Sequence, residues 1–171
     1  MRKLDFSTLD ARDALDLAIL IEEEAKERYE EFARLVGGRY KGDASDAFTM
    51  MAENEGRHHE QLVARRRALF GDVPTRMSRA QIFDVEAPGY GAPRVFMSPR
   101  QALEVALEAE LKAADFYTQA GKLAATPDVK ALFAELKTEE DEHAATLRTR
   151  IALLPAGPDL EEDEADEPTA L

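Results

Sequence analysis

Apolar residues recur at three- and four-residue steps in four stretches of the chain, and one carboxylate stands in the middle of each stripe. The first stripe runs Leu15, Ala18, Ile19, Glu22, Ala25, Tyr29 and Phe32. That spacing keeps one side of a helix facing a core. The helix is expected to begin between Ser7 and Asp10, with Ser7, Thr8 or Asp10 as cap, and to stop at Gly37-Gly38. Glu23, Glu24, Glu27, Glu30 and Glu31 fall mostly on other faces and read as solvated. Glu22 does not, and a buried Glu without a partner costs several kcal/mol, on the order of 2–7 for a polar group and more for a charge.

The second stripe is Phe48, Met51, Ala52, Glu55, His58, Leu62 and Leu69, capped by Asp43 or Ser45 and ended by Gly71-Asp72-Val73-Pro74. Arg65-Arg66-Arg67 lies in its last turns, where positive charge complements the helix dipole. The third stripe is Leu103, Ala106, Leu107, Glu110, Ala113, Tyr117, Ala120 and Ala124, opened by Ser98 as cap and Pro99 at the first helical position. Thr126-Pro127 separates it from the fourth, Phe133, Leu136, Glu140, His143, Leu147, Ile151 and Leu154, which ends at Pro155-Ala156-Gly157-Pro158. Residues 72–97 hold Pro74, Pro88, Gly89, Gly91 and Pro93, with a short helical piece expected around Ser78 to Asp84. A link of that length inside one domain needs a reason, and a crossover running the length of a bundle supplies one.

The two halves share a plan. Glu22, Ala25, Tyr29 and Leu15 correspond in spacing to Glu110, Ala113, Tyr117 and Leu103. Glu55-His58, with Phe48 seven before and Leu62 seven after, corresponds to Glu140-His143 with Phe133 and Leu147. The reading is a pseudo-twofold pair of helix hairpins, an all-α four-helix bundle over residues 1–157 with a long crossover between helices 2 and 3.

Charge and composition narrow the chemistry. The formal net charge of −13 argues against a nucleic-acid partner, which needs a basic footprint. Residues 158–171 are strongly acidic, cannot bury a core and are expected to form a disordered tail. The chain has no cysteine, which excludes disulfides, Cys-based metal sites and a thiol nucleophile. No run reaches the length of a membrane span, and Asp10, Asp13 and Asp16 interrupt any signal core, so no membrane partner and a cytoplasmic location are expected.

Glu55-x-x-His58 and Glu140-x-x-His143 use two of the three histidines in the chain. Three residues along a helix put carboxylate and imidazole on one face, where both reach one metal ion. Two such motifs on two helices, plus one Glu from each of two others, is the donor pattern of paired-metal carboxylate bundles. The candidate ligands are therefore Glu22, Glu55, His58, Glu110, Glu140 and His143. Hard carboxylates with imidazole suit iron or manganese, and zinc also fits. His59 points about 100° away from His58 and reads as a rim residue. Met50 and Met51 read as packing.

These four motifs together resemble the ferritin-like superfamily, specifically the rubrerythrin branch, from about Ser7 to Leu154. The resemblance implies two iron ions per chain, with Glu55 and His58 on one and Glu140 and His143 on the other. Two of the glutamates would bridge; which two stays open. It implies reduction of hydrogen peroxide or dioxygen in oxidative-stress defence. It also makes Tyr29 and Tyr117 hydrogen-bond donors to the carboxylates, against the alternative of core aromatics satisfied elsewhere. A homodimer or larger homo-oligomer is expected. Rubrerythrin proper adds a Cys-rich domain for electron delivery; with no Cys here, electrons are expected from a separate donor protein. Rubrerythrins also tend to carry an extra Glu one turn before the third-helix ligand, where this chain has Ala106 and Leu107. Two further readings stand beside the peroxidase: a ferritin relative that oxidises and binds ferrous iron, and a metal-dependent structural or sensor module without catalysis.

Overall fold

Four helices carry the stripes in a computed structural model of the chain, which describes residues 4–82, 85–94 and 96–155. They are α1 (Ala11–Val36), α2 (Ala44–Phe70), α3 (Pro99–Leu123) and α4 (Pro127–Leu153). Two single 3₁₀ turns, Phe6–Thr8 and Arg79–Gln81, precede α1 and interrupt the crossover. There is no strand among the described residues. The expected tail, residues 158–171, and the end of the short helical piece at Asp84 lie outside the described residues.

Side-chain oxygens fix where each helix starts. Asp10 and Asp13 form a reciprocal capping box, with the Asp13 amide donating to Asp10 Oδ1 at 2.8 Å. Asp43 caps α2, whereas Ser45 lies inside the helix and donates to the Ala33 carbonyl. Ser98 and Gln101 close a second box at α3, and Thr126 accepts from the Val129 amide at α4. Pro99 and Pro127 occupy first-turn positions, where no amide hydrogen is missed. At the C-terminal ends of α1 and α2 the chain turns through positive φ, 65° at Gly37 and 63° at Gly71, which favours glycine.

α1 packs chiefly on α2 and α3 chiefly on α4; the two hairpins meet through α2 against α3 and α1 against α4. The core divides into two clusters. One contains Leu15, Ile21, Leu62, Tyr117, Phe133 and Leu136; the other contains Tyr29, Phe32, Phe48, Met51, Leu103 and Leu147. The residue seven before Glu22 thus shares a cluster with the residue seven after Glu110, and the reverse pair shares the other. That exchange is what a pseudo-twofold axis through the carboxylate layer produces.

Three expectations change. Leu69, placed in the second stripe, is 62% exposed, because it faces away from the core while its neighbour Phe70 packs against that core. Arg66 is not a diffuse partner of the helix dipole. It is buried, with Nε donating to Asp16 at 2.8 Å and Nη1 to the Gly71 carbonyl at 2.8 Å. Glu23 and Glu27, read as merely solvated, grip Arg79 of the crossover at 3.0 and 2.6 Å. Arg76 likewise ties the crossover to Asp10 and Asp13. Further along, Arg28 Nη1 donates to the Pro88 carbonyl at 2.7 Å and its guanidinium lies 3.4 Å from the Tyr90 ring centre. Lys112 Nζ donates to the Ala87 carbonyl at 3.4 Å. No described helix is long and apolar enough to cross a membrane.

Candidate metal centre

Each helix delivers its central carboxylate to one layer between the two apolar clusters. The six residues singled out from sequence all arrive there: Glu22 from α1, Glu55 and His58 from α2, Glu110 from α3, Glu140 and His143 from α4. They fall into two groups, Glu22/Glu55/His58 and Glu110/Glu140/His143. Within each, one ligating atom per residue lies within 4.8 Å of the others. His58 Nδ1 is 3.2 Å from Glu55 Oε2 and 3.8 Å from Glu22 Oε2. The matching distances for His143 are 3.1 Å to Glu140 and 3.5 Å to Glu110. The repeat seen in the sequence is therefore a repeat in space. The two imidazoles stack with centres 4.3 Å apart and planes 1° from parallel.

All four glutamates are fully buried, while the histidine side chains are 24% and 27% exposed. They border a cavity of about 210 Å³ whose outer lining includes Met50, Arg57, Thr146 and Arg150. The layer thus has one wet side, at the histidines.

Burial and crowding distort the acid–base behaviour of the layer. Desolvation raises Glu22 from 4.5 to about 8, with His58 opposing and the Glu55 charge adding to the rise. Burial likewise pushes Glu140 well above the carboxylate range. Burial alone would lower His58, but the facing Glu22 and Glu55 outweigh it and carry it up to about 10. Glu110 and Glu140 do the same for His143, to about 11. Even so, Glu22 Oε2, Glu55 Oε1 and Glu110 Oε2 are buried with no hydrogen-bond partner among the described residues. Inward-facing, unsatisfied hard oxygens beside imidazole nitrogens are a donor set that suits divalent metal ions.

Tyr29 and Tyr117 are fully buried, stacked on Phe48 and Phe133 at 6.2 and 6.1 Å. Neither hydroxyl has a hydrogen-bond partner among the described residues. Burial keeps both phenols protonated; the largest charge acting on Tyr29 is Glu110, and on Tyr117 it is Glu22. Each tyrosine thus senses the carboxylate of the opposite hairpin. His59 is half-buried and belongs to neither group; Met51 packs in a core cluster.

One acid in the layer was not anticipated. Glu86, in the crossover, is 1% exposed and joins two further groups, Glu22/Glu86/Glu140 and Glu55/Glu86/Glu110. It escaped notice because no helical period marks it. The available signal was a lone Glu set among Val85, Ala87 and Pro88.

The sequence model of the family described as Rubrerythrin matches residues 13–88 and 101–170, most of the chain. The chain belongs to the rubrerythrin family. An uncharacterized conserved protein from Magnetospirillum magnetotacticum is 29% identical, with a TM-score of 0.66 over 87% of this chain and 98% of that one. A hypothetical protein from Pyrococcus furiosus, 21% identical, shares the fold with a TM-score of 0.54 over 88% and 95% of the two chains. No curated protein matches the sequence. Within the rubrerythrin family this chain is a ferritin-like four-helix bundle whose carboxylate and histidine groups could hold metal.

Proposed function

We propose that this protein is a di-iron oxidoreductase that reduces hydrogen peroxide or dioxygen with electrons from a separate donor protein. The observation that carries the reading is the doubled Glu/Glu/His group, buried, with unsatisfied oxygens, opening at its histidine edge onto a small cavity. Glu22, Glu55 and His58 would hold one ion and Glu110, Glu140 and His143 the other. Four carboxylates match the charge of two divalent cations. A bound iron pair supplies the two electrons that conversion of one peroxide and two protons to two waters consumes.

The chain's own residues set the conditions for that chemistry. The two apolar clusters keep bulk water from the layer above and below, so the carboxylates act in a low-dielectric gap. The cavity of about 210 Å³ along the His58 and His143 edge has room for a molecule of peroxide size. The protonated Tyr29 and Tyr117 hydroxyls face the layer's charge as available donors. The 171 residues hold no cysteine and so offer no thiolate ligands for an iron–sulfur relay, which supports electron delivery by a separate donor protein.

Anaerobic loading with ferrous iron tests the reading. About two irons per chain are expected, lost in a Glu55→Ala, Glu140→Ala double variant, with one peroxide consumed per iron pair. Sustained peroxide consumption on adding a reductase system is expected. Iron binding that the double variant leaves intact would sink the proposal, and retained ferric mineral without peroxide turnover would favour iron storage instead.

A further inference from the structure

Loops normally run over the surface, because a buried loop strands backbone polar groups. The crossover breaks that rule at one place. Val85, Glu86, Ala87 and Pro88 are all buried, and Val85 belongs to a core cluster. The carbonyls of Ala87 and Pro88 are satisfied by Lys112 from α3 and Arg28 from α1. Arg28 is itself buried and stacked on Tyr90. Two cationic side chains from two helices thus hold this short segment inside the bundle, and the side chain they hold there is an acid. Both Glu86 oxygens are buried with no hydrogen-bond partner among the described residues. An orphaned carboxylate in that setting costs several kcal/mol, on the order of 2–7 for a polar group, unless a cation meets it.

The position is specific. Glu86 stands within ligand reach of Glu22 and Glu140 together, and of Glu55 and Glu110 together, while neither of those groups includes a histidine. It therefore reaches carboxylates of both hairpins and of both three-residue groups, whereas the histidines border the cavity. On α3, one turn before Glu110, Ala106 is buried and Leu107 half-buried, so no acid comes from there.

We infer that Glu86 is a fifth carboxylate ligand of the paired metal centre, delivered by the crossover and within reach of both ions. The inference rests on the paired-metal reading above. It makes the centre asymmetric in a chain that is otherwise built as two like halves. A fifth carboxylate also carries one negative charge more than two divalent ions balance, and so favours the pair in its higher oxidation state.

The test compares wild type with Glu86→Gln, which keeps the shape and removes the charge. Each is titrated anaerobically with ferrous iron and, separately, with Mn(II), whose coupling is read by EPR. Wild type is expected to bind two ions. Glu86→Gln is expected to lose about 100-fold in affinity for at least one ion, at or beyond the range seen when a group behind a ligand is removed. Its Mn(II) spectrum should change and its iron pair should become easier to reduce. Far-UV circular dichroism of the metal-free variant checks the fold; should the amide variant fail it, Glu86→Asp, which withdraws the acid by one methylene, reads the same loss. Two ions bound with unchanged affinity, spectrum and potential would overturn the role of Glu86 while leaving the paired site intact. No binding by wild type would overturn both.

Discussion

Replacing Glu22 with Gln should make the metal-free protein more stable and the metal-loaded protein less so. Glu22 is fully buried, and its proton is held to about pH 8 rather than 4.5. At pH 7 the folded, metal-free chain therefore carries Glu22 mostly protonated, whereas the unfolded chain carries it ionised. Folding must take up that proton across about 2.5 pH units, a cost of about 3 kcal/mol. Gln is neutral in both states and escapes it. At this chain length 1 kcal/mol moves the melting point by roughly 2–4 °C, so Glu22→Gln should melt about 6–12 °C higher in excess chelator at pH 7. The raised value sets the pH window. The cost is absent below pH 4.5, grows as pH rises and is complete at about 8, so the gain should vanish at pH 4.5. Saturating metal should invert the order, because Gln donates one neutral oxygen where a carboxylate ligand is needed. Thermal melts followed by circular dichroism under the three conditions decide the matter. A metal-free variant melting at or below wild type at pH 7, or an equal gain at pH 4.5, would refute the account of a protonated buried Glu22.

Metal affinity should rise with pH. His58 and His143 are held protonated to about pH 10 and 11 in the metal-free fold, and ligation requires both rings neutral. Their pairing stabilises the metal-free chain fully below about pH 6.5 and is lost as pH rises through those raised values. Calorimetry in buffers of different ionisation heat should count more than one proton released per ion pair at pH 7; none released would contradict this. Asp16→Ala should lower the urea midpoint, because it leaves the Arg66 guanidinium without its carboxylate; an unchanged midpoint would contradict this. Arg28→Ala should cost about 1.5–3 kcal/mol through the lost charged hydrogen bond to Pro88 and should weaken metal binding with it, since the segment bearing Glu86 is released. Wild-type metal affinity in Arg28→Ala would show that the crossover needs no such anchor.

The helices were legible because several signals agreed at each. A period of 3.6, Asp10 or Ser98 at the start, and Gly37 or Gly71 at the stop all pointed to the same boundaries. Six residues of the layer were legible because the chain states them twice, and chance does not reproduce Glu-x-x-His with matching apolar residues at seven on both sides. Glu86 was not legible for the opposite reason. It occurs once, in irregular backbone, and its burial depends on Arg28 and Lys112, which lie 58 and 26 residues away along the chain. Likewise Asp16 and Arg66 sit on expected helices, but their partnership depends on how α1 and α2 align. Leu69 fits a helical period as well as Leu62 does, yet at that end of α2 the residue that packs on the core is Phe70.

The division into two hairpins bears on how the chain assembles. Most contacts fall inside α1–α2 or α3–α4, so each hairpin can form from near neighbours in sequence, which is fast. Docking one hairpin on the other is the late, long-range event, and it is also the moment when carboxylates from both halves converge. The barrier to that final step is then set by what neutralises the converging acids. Protons at low pH, or a divalent ion at neutral pH, should speed docking without altering hairpin formation, so that the centre governs the tempo of folding as well as its end point.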